Sequence, residues 1–259
     1  MHFIRLPLLA VAFAAAPAPV VAHYHMLLPD KPSAKADEAV TFTYQFGHPF
    51  EHQLFDTQKP TELYVVAPDG TKTDLLAKLE KTAVDGGEGK KVAGYKFTFT
   101  PPKRGDYTVV AVSPEVKAEG ESLPLRDVAK VVLHVQTQNG WDRRAVTAKA
   151  SAVELSPLTR PYGLVGGMAF HVEADEPAEG DRKALAGIVI EAERYNATPP
   201  KELPPDEHVT RTARTNRSGS AVVTLTEPGW WSVTAVRERD KVQHRCTLWV
   251  SVDKQSTDK

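Results

Sequence analysis

A single cysteine, Cys246, stands in the 259 residues. No intramolecular disulfide can therefore form, and stability must come from a hydrophobic core, which a chain of this length can supply. An excess of one charge is also lacking: 32 basic residues face 33 acidic ones, for a formal net charge of −1. Without a basic field, nucleic acid and anionic membrane surfaces are not expected partners. Past the first 22 residues no run approaches the roughly 20 apolar residues that a spanning helix needs. There is no nucleophile elbow, no H-E-x-x-H and no P-loop, so nothing reads as a hydrolase or nucleotide-binding set.

What is present begins at the amino terminus. Met1–Arg5 carries one positive charge, Leu6–Ala16 is apolar, and Pro17–Ala22 is a small-residue segment with Val20 and Ala22 at the −3 and −1 positions. That is the grammar of a secretory signal peptide. Cutting after Ala16 or Ala18 would leave proline just past the scissile bond, so cleavage is expected after Ala22. The mature protein would then start His23-Tyr24-His25 and reside in a periplasm. It would have no cysteine at its start to carry a lipid and no membrane insertion once the signal is gone.

The remaining pattern is β. Val40–Phe46, Glu62–Val66, Gly94–Thr100, Gly105–Val112 and Lys130–Gln136 are short runs rich in β-branched and aromatic residues, many alternating at period two. Pro68-Asp69-Gly70, Asp85-Gly86-Gly87 and Pro101–Gly105 punctuate them. A second series follows: Ala152–Leu155, Met168–Glu173, Gly187–Glu193, His208–Ala213, Ser220–Leu225, Trp230–Ala235 and Val242–Val250. Both series end alike, with a glycine turn, an aromatic-bearing strand (Gly105-Asp106-Tyr107, then Gly229-Trp230-Trp231) and a final strand. The expected fold is all-β: two tandem immunoglobulin-like or transthyretin-like β-sandwich domains after a cleaved signal peptide. Residues 1–22 would be the signal, 23–140 a metal-binding domain and 141–259 a second domain. Leu75–Lys81 reads equally as a helical turn or a strand.

The histidines carry the candidate chemistry. With cleavage after Ala22, His23 supplies an α-amine and a ring, and His25 a second ring. Two arrangements compete. Amine, two ionised amides and the His25 ring can form a square-planar chelate of Cu(II) or Ni(II). Alternatively the amine and ring of His23 chelate while other imidazoles complete the site. The apolar Met26-Leu27-Leu28 favours a docked strand, hence imidazoles plus amine. In a strand His23 and His25 share a face, roughly 7 Å apart. His48-Pro49-Phe50-Glu51-His52 follows a predicted strand and offers two imidazoles and a carboxylate in a loop. His134, alternating against Leu133 and Val135, faces solvent or an inter-domain cleft and is a further candidate. The bland alternative is that all are ordinary surface or core histidines, the reading preferred for His171, His208 and His244; Cys246 reads as a small buried thiol.

Several motifs in order resemble the DUF4198 family, periplasmic proteins found beside nickel and cobalt uptake systems. They are Ala22–Pro29, Phe46–His52, Asn139-Gly140-Trp141-Asp142, Leu158–Leu164 and Glu227–Trp231. The resemblance implies a β-rich extracytoplasmic protein that captures a divalent metal, with His23, His25, His48 and, less directly, His52 as ligands. Glu51 and His134 rest on their chemistry alone. The leading expectation is a binding protein that takes Ni(2+) or Co(2+), with Cu(2+) as a competitor, and passes it to an inner-membrane metal importer without catalysis. A copper oxidase or monooxygenase using a terminal histidine is the second reading, and an adhesion or structural module with incidental histidines the third.

Overall fold

Runs of β-branched and aromatic residues become strands throughout the computed structural model, which describes residues 23–117, 122–136, 151–177 and 182–255. In the amino-terminal half these are β1 (Tyr24–Pro29), β2 (Ser33–Ala34), β3 (Val40–His48), β4 (Gln53–Phe55), β5 (Glu62–Val66), β6 (Lys72–Asp74), β7 (Glu80–Asp85), β8 (Lys91–Phe99), β9 (Gly105–Val112) and β10 (Leu125–Val135). The carboxyl-terminal half contributes β11 (Glu154–Pro157), β12 (Leu164–Val165), β13 (Met168–Glu176), β14 (Lys183–Ala184), β15 (Val189–Arg194), β16 (Thr210–Arg214), β17 (Ser220–Leu225), β18 (Gly229–Arg239) and β19 (Val242–Asp253). The ambiguous stretch near Leu75 resolves into a 3-10 turn at Leu76–Lys78 followed by β7. Both readings of it were partly right. The expected division at residue 140 falls within 137–150, and the signal segment within 1–22, both outside the described residues.

The all-β expectation holds, with an arrangement that strand spacing alone does not reveal. Three sheets stack as layers. A ten-stranded sheet in the order β16-β15-β18-β19-β10-β9-β5-β6 runs through both halves, with β12 on β19 and β2 on β10. The join is a parallel pairing of the last strands of the two halves, with Leu125 opposite Gln243 and Val131 opposite Trp249. One face carries a five-stranded sheet, β1-β3-β8-β7 with β4 on β3. The other carries β11-β13-β14 with β17 on β13.

Strand alternation explains how one sheet serves two cores. On β10, Ala129, Val131, Leu133 and Val135 join Tyr24, Phe42, Tyr44 and Phe97 in the first core. Val128 and Val132 turn the other way, to Phe170, Val172, Val223, Trp231 and Cys246. Both faces of the central strands are thus apolar, and the interrupted polar positions on them stand out. Lys130 is one: its ammonium reaches Glu154 of β11 and donates to the Leu155 carbonyl at 2.8 Å, all in the buried second core. Cys246, fully buried, has its thiol pushed up to about 11 by burial, which fits the packing role expected of it.

A buried ion pair is costly to break although of modest net worth when intact. Lys130→Met alone should therefore lower unfolding free energy by about 3–5 kcal/mol, because the buried Glu154 carboxylate loses its ammonium. Replacing both, Lys130→Met with Glu154→Leu, should restore most of the loss. Urea unfolding of the three proteins checks this.

Candidate functional site

β1 is an edge strand whose six residues are all buried. It pairs antiparallel with β3, Tyr24 opposite Gly47 and His25 opposite Phe46. This register brings His23 beside His48, the last residue of β3. Their ring centroids lie 4.2 Å apart with planes at 53°. Aromatic side chains wall the pair: His23 stacks on Phe46 at 5.6 Å and meets Phe55 at 5.4 Å, while Phe55 meets His48 edge-on at 5.6 Å. His23 and His48 are 8% and 4% exposed, so the two imidazoles sit in a largely dry, aromatic-walled site.

Gly47 makes that pocket buildable. Its φ is +150°, and a Cβ there would stand 2.2 Å from the Gln53 carbonyl oxygen and 2.7 Å from Leu54 Cα. Only glycine lets β4 close against β3, and β4 delivers Phe55 over the histidine pair.

His25 shares the face with His23 but has other company. Its Nδ1 lies 2.7 Å from Asp127 Oδ2 on β10, its ring stacks on Tyr44 at 5.5 Å, and Phe46 lies 4.5 Å away on the side towards His23. Asp127 is held in turn by Arg245 of β19 through two bonds, Nε to Oδ1 at 2.6 Å and Nη2 to Oδ2 at 2.7 Å. Burial opposes the Asp127 charge, but Arg245 and then His25 outweigh it and hold the carboxyl well below the usual range. The Trp249 indole donates to the His25 carbonyl at 3.4 Å, and the Tyr24 hydroxyl donates to Glu191 at 2.8 Å. The first strand is thereby fastened to the carboxyl-terminal half. The His25 amide N–H also points at Asp127, 3.4 Å away, so this backbone serves the sheet and its neighbour.

The His48–His52 loop is fastened to the same half. Phe50 N–H donates to Glu193 at 3.1 Å, Asn196 Nδ2 donates to the Phe50 carbonyl at 2.6 Å, and Asn196 N–H to the Pro49 carbonyl at 3.0 Å. His52, in the left-handed region at φ +52°, donates from Nδ1 to the Asn196 carbonyl at 2.8 Å and packs 6.0 Å from Tyr195. Glu51 is half-buried, and burial raises its carboxyl. With His52 it lines a separate groove that also includes Gly87 and Leu203. Glu193 is almost fully buried. Burial lifts its pKa to about 8, against the pull of the Thr210 hydroxyl at 2.7 Å and the Phe50 amide.

His134 lies elsewhere. It points to the opposite face of β10 from Asp127 and binds Asp106 through Nδ1 at 2.8 Å. Tyr162 stacks on it at 4.0 Å in a cleft between the two halves. Of the six candidates, the structure brings His23 and His48 together. His25 is adjacent but turned to Asp127, His52 and His134 have other partners, and Glu51 lines a separate groove. Among the described residues no group of three or more His, Cys, Asp or Glu side chains is disposed to hold a metal ion. No motif in the sequence marks Asp127, Arg245 or Glu193. Asp127 did leave a signal there, as a charge on the alternation Leu125, Ala129, Val131, Leu133 and Val135, which is otherwise apolar.

The chain belongs to the DUF4198 family: the model described as "Domain of unknown function (DUF4198)" matches residues 20–239. No curated protein matches it. Among solved structures, the D0-D1 domain of intimin is 18% identical, over 89% of this chain and 100% of that one, with a TM-score of 0.24. The adhesin InvE of Yersinia pseudotuberculosis is 10% identical over 88% and 59%, with a TM-score of 0.26. A Salmonella alpha-2-macroglobulin reacted with methylamine is 13% identical over 93% and 15%, with a TM-score of 0.27. At such TM-scores the likenesses carry no argument about function.

Arg245→Met should cost about 3–5 kcal/mol by leaving the Asp127 carboxylate buried without its guanidinium, measured by urea unfolding at neutral pH. Glu193 should impose the opposite pH slope from an ordinary salt-bridged acid. Its folded pKa, about 8, lies above the unfolded value, so its stabilisation is complete below the unfolded pKa and drains away as pH rises towards 8. Glu193→Gln should flatten the fall in urea midpoint between about pH 5 and about pH 8; an unchanged slope would contradict the assignment.

Proposed function

We propose that this member of the DUF4198 family is a periplasmic metal-binding protein that accepts Ni(2+) or Co(2+) at His23 and His48 and releases it to an inner-membrane importer. The observation that carries the reading is the buried imidazole pair with centroids 4.2 Å apart. An imidazole ligand bonds at about 2.0–2.1 Å, which puts its ring centre roughly 3.2 Å from the ion. Two rings 4.2 Å apart then subtend about 80° at a shared ion, close to the roughly 90° cis angle of the tetragonal nitrogen sites that Ni(2+) and Cu(2+) favour. Opposed imidazoles would stand about 6.4 Å apart by the same construction.

Signal cleavage after Ala22 supplies the third donor, the His23 α-amine, on the residue that already carries one ring. Amine and two imidazoles leave coordination positions for water or for a recipient's ligand, as transfer requires. In this reading His25 positions β1 through Asp127, Glu51 and His52 position the loop, and His134 belongs to another cleft. Cu(2+) should outcompete the other ions in vitro by the Irving–Williams order whatever the physiological cargo, so rank of affinity does not name the ion.

The test uses exported protein whose first residue is shown by mass spectrometry to be His23. Ni(2+) and Co(2+) affinities are compared with those of His48→Ala and of a form extended by one amino-terminal alanine. Each change should weaken binding by more than about 100-fold, since even outer-shell losses cost about 10- to 100-fold. Affinity should also fall from about pH 7.5 to about 5.5, as protons compete for the imidazole and amine lone pairs. A different first residue, or equal affinity in all three forms, would overturn the reading.

A further inference from the structure

The parallel pair that joins the halves does not run to the end of its strands. Beyond Val131 and Trp249 β10 and β19 part, and each takes a new parallel neighbour. His134 and Val135 of β10 pair with Ser33 and Ala34, while Val252 and Asp253 of β19 pair with Leu164 and Val165. A cleft of about 330 Å³ opens in the fork, within the range of small-molecule sites. Because its walls come from both halves, neither half could form it alone.

One wall is rigid. Asp106 accepts from His134 Nδ1 at 2.8 Å and from the Tyr162 hydroxyl at 3.0 Å, and the two rings stack at 4.0 Å. Trp230 and the buried Trp249 supply apolar surface. Arg160 and Asp253, opposite in sign and both exposed, also line the cleft. The Arg160 guanidinium lies 5.2 Å from the Tyr162 ring centre. Among the described residues neither Arg160 nor Asp253 forms an ion pair, with the other or with a third residue. Two opposite charges held apart at one aromatic-walled cleft are complementary to a molecule that carries both.

We propose that this cleft binds a small zwitterion of the α-amino acid type. The ligand carboxylate meets Arg160, whose planar fork suits it. The ligand ammonium meets Asp253, and the apolar side chain lies along Trp230 and Tyr162. A ligand with only one charge leaves the other cleft residue unmatched and gains less. The site is independent of the histidine pair, so its success or failure does not bear on metal binding.

The experiment titrates metal-free full-length mature protein by calorimetry and tryptophan fluorescence. The probes are phenylalanine and leucine, with phenethylamine and 3-phenylpropanoate as single-charge analogues. Phenylalanine or leucine should saturate the site, with the analogues at least about ten-fold weaker. Arg160→Gln should bring phenylalanine down to the affinity of phenethylamine, and Asp253→Asn to that of 3-phenylpropanoate. His48→Ala should leave all four titrations unchanged. Both replaced side chains are exposed, and circular dichroism confirms that the variants fold. The proposal is overturned if neither amino acid saturates by about 10 mM, if the analogues bind equally well, or if the two substitutions change nothing.

Discussion

Asp127 sits where three strands from distant parts of the chain meet, and what reaches its carboxylate determines how the amino-terminal strand is held. A bare carboxylate at this depth would be several kcal/mol out of balance. Arg245 offsets that with a two-pronged bond, and the His25 ring adds a further bond to Oδ2. Arg245 belongs to the last strand described and His25 to the first, so one carboxylate links residues more than 200 positions apart. The His23–His48 pocket hangs from that link, because β1 carries His23 and is gripped at the next two residues by Glu191 and Asp127.

The second constraint is the parallel seam between β10 and β19. Two independent sandwiches would each need to protect the edges of their own sheets. Here each final strand caps the other, removing an edge from both halves. Alternation then turns successive side chains of β10 to different cores. Lys130–Glu154 crosses the seam's one face and Asp127–Arg245 occupies the other. The same seam, by ending before its strands do, creates the fork in which His134, Tyr162, Arg160 and Asp253 gather.

Much of the candidate site was legible in the chain, though not its membership. The period-two rule placed His23 and His25 on one face, and they do share it. It could not say that Phe46 would pack against both rings or that Asp127 would claim the His25 ring. Pro49 keeps His48 and His52 off a helix, with His48 ending β3, but the placement of the buried His52 depends on a carbonyl at Asn196, in the other half. His134, read as facing solvent or an inter-domain cleft, lines a cleft beside Tyr162. Its separation from the other histidines follows from strand parity on β10 together with the layering, and only the parity is written locally.

Local chemistry determined the strands: β-branched and aromatic runs, with glycine and proline between them, set where the backbone extends and turns, since those preferences act within a few residues. It determined which side chains could share a face. It also offered a histidine-rich start to the chain following a signal-like segment. The tertiary structure alone decided that the last strands of the two halves pair in parallel, that β1 docks over their seam, and that His48 rather than His25 becomes the neighbour of His23. Those outcomes depend on burying charges and apolar faces against partners as far as 224 residues away, and contacts of that range leave no periodic trace in the sequence.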